Sequence, residues 1–133
     1  APEPIAKLEH LAYLRFNDNR LTDLPASFAS LKGLRRFYGR SNRFAKVPEA
    51  LKGWLELEDV ALDGNRISEL PDWFVALPKL KAVSLSGCPI SKLPDDLSAW
   101  RRLDSLVLSG CPLPEAEVKR VRAAVGDAVA IAF

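Results

Sequence analysis

Apolar residues return along this chain at a fixed interval of 23 positions. Leu11, Leu34, Leu57, Leu80 and Leu103 form one column, and Leu14, Phe37, Val60, Val83 and Leu106 a second. Phe16, Gly39, Leu62, Leu85 and Leu108 form a third, broken by one glycine. Further columns follow at Leu21, Phe44, Ile67, Ile90 and Leu113, then at Phe28, Leu51, Phe74 and Leu97, and last at Leu31, Trp54, Leu77 and Trp100. Two other columns are not simply apolar: Asn19, Asn42, Asn65, Cys88 and Cys111, and the prolines 25, 48, 71 and 94. No insertion interrupts them over five units, which is how a coil stacked on itself appears in sequence.

Each part of the unit predicts an element. The LxL alternation places two side chains on one face of a short strand. The Asn column suits a tight turn after that strand, where an inward amide can bond peptide groups that would otherwise be buried unpaired. Proline cannot join a regular ladder, so the LPxxLxxL stretch returns as extended or short 3₁₀ chain. One such coil cannot bury its own apolar side; five stacked coils can, with a parallel sheet along one side. Residues 1–10 read as a partial first repeat, because Pro2, Ile5 and Leu8 fall on the Pro25, Phe28 and Leu31 columns. Residues 11–113 read as five repeats and 114–133 as a cap. In the cap, PEAEVKRVRAAVG (114–126) has proline first, acids early, basic residues later and a closing glycine, with Val118, Val121 and Val125 as its apolar stripe. That predicts a helix. AVAIAF (128–133) then predicts a sixth strand, with Val129 and Ile131 one period after Leu106 and Leu108.

The pattern LxxLxLxx(N/C)xLxxLPxxLxxL resembles the leucine-rich-repeat family in its 23-residue form, over nearly the whole chain. The resemblance implies an α/β solenoid: a right-handed curved superhelix with a parallel sheet on the concave side and extended or 3₁₀ segments on the convex side. It also implies that the concave sheet face meets the partner, as the recognition part of a larger signalling or effector protein.

Composition narrows the picture only a little. The 133 residues are 48% hydrophobic and 27% charged, as in ordinary soluble proteins, and a net charge of +2 does not by itself call for a polyanion. No apolar run approaches the ~20 residues of a bilayer span, so membrane insertion is not expected. The chain contains no methionine, which reads as a processed form or an excised fragment. Cys88 and Cys111 share the inward column on adjacent coils. They read as two reduced packing thiols, with a bridge as the alternative. The matching compartment is the cytoplasm, or that of a delivered effector, and the expected state is a monomer.

Candidate chemistry is sparse. His10, the only histidine, precedes the first strand in a polar column, and a His-based nucleophile triad has no plausible members. No metal site is expected, since no further cysteine or histidine can join the two thiols. Asp59 and Asp63 lie four residues apart, ~13 Å along a strand, beyond the ~5–9.5 Å of paired catalytic carboxylates. The chain is therefore read as non-enzymatic and without a cofactor. Trp54 and Trp100 read as core. Trp73 projects from the convex side, either across Pro71 or as an accessory contact.

The informative surface lies between the inward leucines. Tyr13, Arg15, Asn17 and Asp18 face outward on the first coil; Arg36, Tyr38, Arg40 and Ser41 on the second; Asp59, Ala61 and Asp63 on the third. The last two coils offer Ala82, Ser84 and Ser86, then Ser105, Val107 and Ser109, which are small and bland. Tyrosine and arginine are enriched in binding hot spots. The candidate partner-binding set is therefore Tyr13, Arg15, Asp18, Arg36, Tyr38, Arg40, Asp59 and Asp63. The competing readings are a solvated face whose arginines pair with Asp18, Asp59 and Asp63, and a nucleic-acid or polyanion site that the neighbouring carboxylates disfavour. Gly39 stands where its column has a large residue. It is either a notch filled by Phe37 and Phe44 or a bulge that redirects the strand.

Overall fold

The computed structural model describes residues 12–17 and 19–133. The expected partial repeat at 1–10, His10, Leu11 and Asp18 lie outside the described residues. Six short strands follow one another in chain order: β1 Tyr13–Arg15, β2 Arg36–Tyr38, β3 Asp59–Ala61, β4 Ala82–Ser84, β5 Ser105–Val107 and β6 Ala130–Ala132. They form one parallel sheet in the order β1-β2-β3-β4-β5-β6. The central residues Leu14, Phe37, Val60, Val83 and Leu106 are buried, and their neighbours stand on the other face. The register advances by one sequence period per strand, for example Leu14↔Phe37 and Phe37↔Val60. Bulky return segments need more room than strands ~4.8 Å apart, so the stack curves with its sheet on the concave side.

The turns after the strands explain the polar column. Asn42 is buried and donates its side-chain amide to the Phe16 carbonyl on the preceding coil (2.6 Å) and to the Gly39 carbonyl (3.0 Å). Its Oδ1 accepts from the Leu21 amide at 3.2 Å. Asn65 repeats the arrangement with the Gly39 and Leu62 carbonyls and the Phe44 amide. Cys88 and Cys111 are free thiols that donate to the Leu62 and Leu85 carbonyls, each at 3.2 Å. Burial pushes the Cys88 thiol up to about 11 and raises Cys111 as well, so both hold the proton that these bonds need. Asn19 departs from its column: it is exposed, and among the described residues its side-chain amide bonds the Asn17 carbonyl. Asn42 and Asn65 each reach a carbonyl 26 residues earlier.

The convex returns are 3₁₀ turns at Ala26–Ser30, Glu49–Gly53 and Ser98–Arg102, with one α-helical turn, α1 Asp72–Val75. This exception separates two equivalent tryptophans. Trp54 is buried and donates its indole N–H to the Phe28 carbonyl at 2.8 Å. The corresponding carbonyl for Trp100 is that of Phe74, which already accepts from the backbone amides of Ala76 and Leu77. The buried Trp100 Nε1 consequently has no hydrogen-bond partner among the described residues.

Gly39 is the filled notch. Its backbone is regular, with its amide bonded to the Ala61 carbonyl at 2.9 Å and β2 in register with both neighbours. A Cβ added there would lie 3.1 Å from the Phe37 ring and 3.2 Å from the Phe44 ring. These rings occupy the volume that a leucine fills on other coils.

The cap helix, α2 Glu115–Val125, buries Val121 and Val125, while Val118 is half-buried. It is fastened to the coil before it. Glu117 accepts the Leu93 amide at 2.8 Å, and Arg120 bonds both Glu117 oxygens at 2.8 and 2.7 Å. Arg120 also donates to the Leu93 carbonyl at 2.8 Å. The Arg120 bond holds the Glu117 carboxyl below the usual carboxylate range. The register of β6 differs from expectation: Leu106 pairs with Ile131, not Val129. The helical return takes two residues more than the Leu-Pro return. A shift of two preserves the face, so Val129 still points inward and is buried.

Two measurements test this account of the core. Gly39→Leu should lower the unfolding free energy in urea by about 1–3 kcal/mol through overpacking; an unchanged midpoint would mean the two rings do not fill the notch. Trp54→Phe should cost about 1–2 kcal/mol more than Trp100→Phe, because only Trp54 gives up a made hydrogen bond. Equal costs would contradict the assigned partners.

Candidate functional site

The outward positions of β1 to β3 converge on Tyr38. Parallel register sets Tyr13 beside Arg36, Arg15 beside Tyr38, and Tyr38 beside Ala61. The Tyr13 and Tyr38 rings meet edge to face, 5.3 Å apart at 90°. The Tyr38 hydroxyl donates to Asp59 Oδ2 at 2.6 Å, one strand over. The Arg40 guanidinium lies 5.3 Å from the Tyr38 ring centroid and 3.7 Å from Asp63 Oδ2. The backbone amide of Arg40 is held by Asn17 Oδ1 at 2.9 Å. Ser84 donates to the same Asp63 oxygen at 2.9 Å. The other oxygen, Oδ1, is buried without a hydrogen-bond partner among the described residues.

Five of the eight candidate residues therefore form one connected cluster: Tyr13, Tyr38, Arg40, Asp59 and Asp63. Arg15 and Arg36 share the face and are exposed, but neither makes an ion pair among the described residues. Asp59 makes no ion pair with an arginine among the described residues; the donor on its carboxylate is the Tyr38 hydroxyl. Among the described residues the Arg40–Asp63 pair forms, and Arg40 is half-exposed, so the pair contributes little to stability; Asp18, the third expected partner, lies outside the described residues.

Next to Tyr38 the sheet face sinks into an open depression of about 230 Å³. Tyr38, Arg40 and Asp59 stand at one side. Ala61, Ala82, Ser84, Ser105 and Val107 make its floor. The sequence reading left Ala61 out of the candidate set and treated Ala82, Ser84, Ser105 and Val107 as bland. The available signal was their smallness beside the large residues of β1 and β2, which leaves a step in the surface. On the convex side, Trp73 is half-buried against the core, with the Lys52 ammonium 5.5 Å from its ring. With Pro71, Lys46 and Glu69 it borders a second hollow of about 210 Å³.

The Tyr38 phenol is raised above the usual tyrosine range, first by its hydrogen bond to Asp59 and then by burial and the charge of Asp59. It thus remains a donor at neutral pH. No helix among the described residues is long and apolar enough to cross a membrane.

Comparison with known proteins agrees with this geometry. A family model described as Leucine Rich Repeat matches residues 79–100. Among solved structures, a leucine-rich-repeat protein of Leptospira interrogans aligns over 100% of this chain and 34% of its own, with 26% identity and a TM-score of 0.90. An internalin of Listeria monocytogenes aligns over 98% of this chain and 43% of its own, with 21% identity and a TM-score of 0.70, a likeness of fold alone. The chain thus spans less than half the length of either protein. No curated protein matches the sequence.

The hydrogen bond at the centre of the cluster can be titrated. Tyr13 and Tyr38 are the only tyrosines, so Tyr13→Phe isolates Tyr38. Its tyrosinate absorbance should rise at higher pH than in free tyrosine (ordinarily ~10). Asp59→Asn should move it back. Because the folded value is raised, the bond stabilises the fold fully below the unfolded value, and that contribution is lost as pH rises through the folded one. An ordinary titration in the presence of Asp59 would contradict the Tyr38–Asp59 bond.

Proposed function

Because this chain is a leucine-rich-repeat protein, we propose that it is a non-catalytic interaction module that binds a protein partner through the concave sheet face. The reading rests chiefly on Tyr38, whose ring and hydroxyl are held by Tyr13, Arg40 and Asp59 at once. A pre-organised aromatic with a polar tip gives contact area at little entropic cost on binding, and Tyr–Arg groupings are favoured hot spots. Tyr13 is 43% exposed, a large ring left open to a partner. The module serves as the recognition part of a longer signalling or effector protein.

A second reading is a nucleic-acid or other polyanion site. Arg15 and Arg36, exposed and without an ion pair among the described residues, favour it, and Asp59 and Asp63 on the same face oppose it. Heparin and single-stranded DNA at low ionic strength decide the matter: absence of salt-sensitive association removes this reading.

The protein-binding reading is tested by panning a displayed peptide library on the 133-residue chain. Selected peptides should lose at least about tenfold in affinity with Tyr38→Ala or Arg40→Glu, as expected for hot-spot truncation. They should retain it with the convex variant Trp73→Ala, and melting temperatures should stay close to that of the parent. Peptides indifferent to both concave variants would remove this face from consideration.

A further inference from the structure

We propose that the depression beside Tyr38 receives a lysine side chain of the partner protein, with its ammonium on Asp59 and its aliphatic stem over Ala61, Ala82 and Val107. This rests on the protein-binding reading of the face and specifies what enters it. Asp59 is half-buried, and its carboxylate has the Tyr38 hydroxyl as its hydrogen-bond donor and no ion pair among the described residues. A carboxylate offers about four acceptor sites, so Asp59 keeps capacity for a cation. Of the neighbouring charges, Arg40 faces Asp63, which the Ser84 hydroxyl also serves, while Arg36, the register partner of Asp59, is exposed and makes no ion pair among the described residues. Among the described residues that line the depression, Asp59 is therefore the charge without an ion pair, beside an aromatic wall and a floor of small residues. A long apolar stem ending in a positive charge complements that arrangement.

Other side chains fit less well. Glutamate and aspartate would meet both Asp59 and Asp63. An arginine fork binds a carboxylate best through both oxygens, but the Tyr38 hydroxyl sits 2.6 Å from Oδ2. The compact lysine ammonium needs only one oxygen. A purely apolar side chain would leave Asp59 desolvated and unpaired. Size is adequate: about 230 Å³ exceeds the ~150 Å³ that admits benzene in an engineered core cavity.

The probes are the Nα-acetyl methylamides of lysine, norleucine, arginine and glutamate, titrated into the isotope-labelled chain and followed by amide chemical shifts. The lysine probe should move the signals of Ala61, Ala82, Ser84 and Ser105. It should bind about fivefold more tightly than norleucine, which has a stem but no charge. Asp59→Asn keeps an acceptor for the Tyr38 hydroxyl and should reduce lysine to the level of norleucine. Ala82→Leu, which raises the floor, should remove binding of both. The proposal is overturned by absent shifts at those amides, by norleucine, arginine or glutamate matching lysine, or by a lysine preference that survives Asp59→Asn. Displayed peptides that depend on Tyr38 yet contain no lysine would also overturn it, while leaving the protein-binding reading intact. A lysine preference with no peptide binding at all would instead sink the protein-binding reading and leave the pocket chemistry standing.

Discussion

A stack of coils buries its turns, and a buried turn must satisfy every peptide group it contains. Here the requirement falls on one side chain per coil. Asn42 and Asn65 each bond their own turn and reach back to the coil before, joining Gly39 and Phe16 to residues 26 positions later. Without those amides, the Gly39 and Phe16 carbonyls would lose donors in an apolar interior, at a cost of about 1–3 kcal/mol each. The sheet, its register and the functional face all follow from coils held in step in this way. The thiols of Cys88 and Cys111 meet the same need with a single weak donor each. Accordingly, the amide column lies under β2 and β3, where the face is most elaborate, and the thiols under the plain face of β4 and β5.

Much of this was legible in the residues, because the repeat restates each constraint several times. Inward columns, outward positions and 3₁₀ returns all follow from period-two alternation and the placing of proline. The misses occur where the repetition stops. Asn19 has the right identity but is exposed and gives its side-chain amide to the Asn17 carbonyl. The final strand is two residues late because a helix consumes more chain than a Leu-Pro return. Trp54 and Trp100 share a column, yet among the described residues only Trp54 finds a partner, since a single α-helical turn at Asp72–Val75 changes which amides occupy the Phe74 carbonyl. A pattern of residue types cannot report that difference.

The candidate site was legible as a list of positions and not as an arrangement. Alternation places Tyr38, Arg40, Asp59 and Asp63 on one face, but it leaves open whether Asp59 pairs with arginine or with a phenol. Side-chain reach decides: from β2 the phenol spans one strand spacing to Asp59, and Arg40 lies against both the ring and Asp63. The depression needed the contrast between large residues on β1 and β2 and small ones on β4 and β5. Each strand viewed alone shows only a tyrosine or a serine.

The constant register has an evolutionary consequence. Each 23-residue unit advances the face by one strand spacing, ~4.8 Å, and meets its neighbours through the same backbone ladder. Duplicating or deleting a whole unit between β3 and β5 would therefore lengthen or shorten the floor beyond Tyr38 by that one step. The amide turns and inward columns would close around the new coil much as before. Such a protein can retune the distance between recognition features by recombination, in quantised steps, without having to reinvent a core.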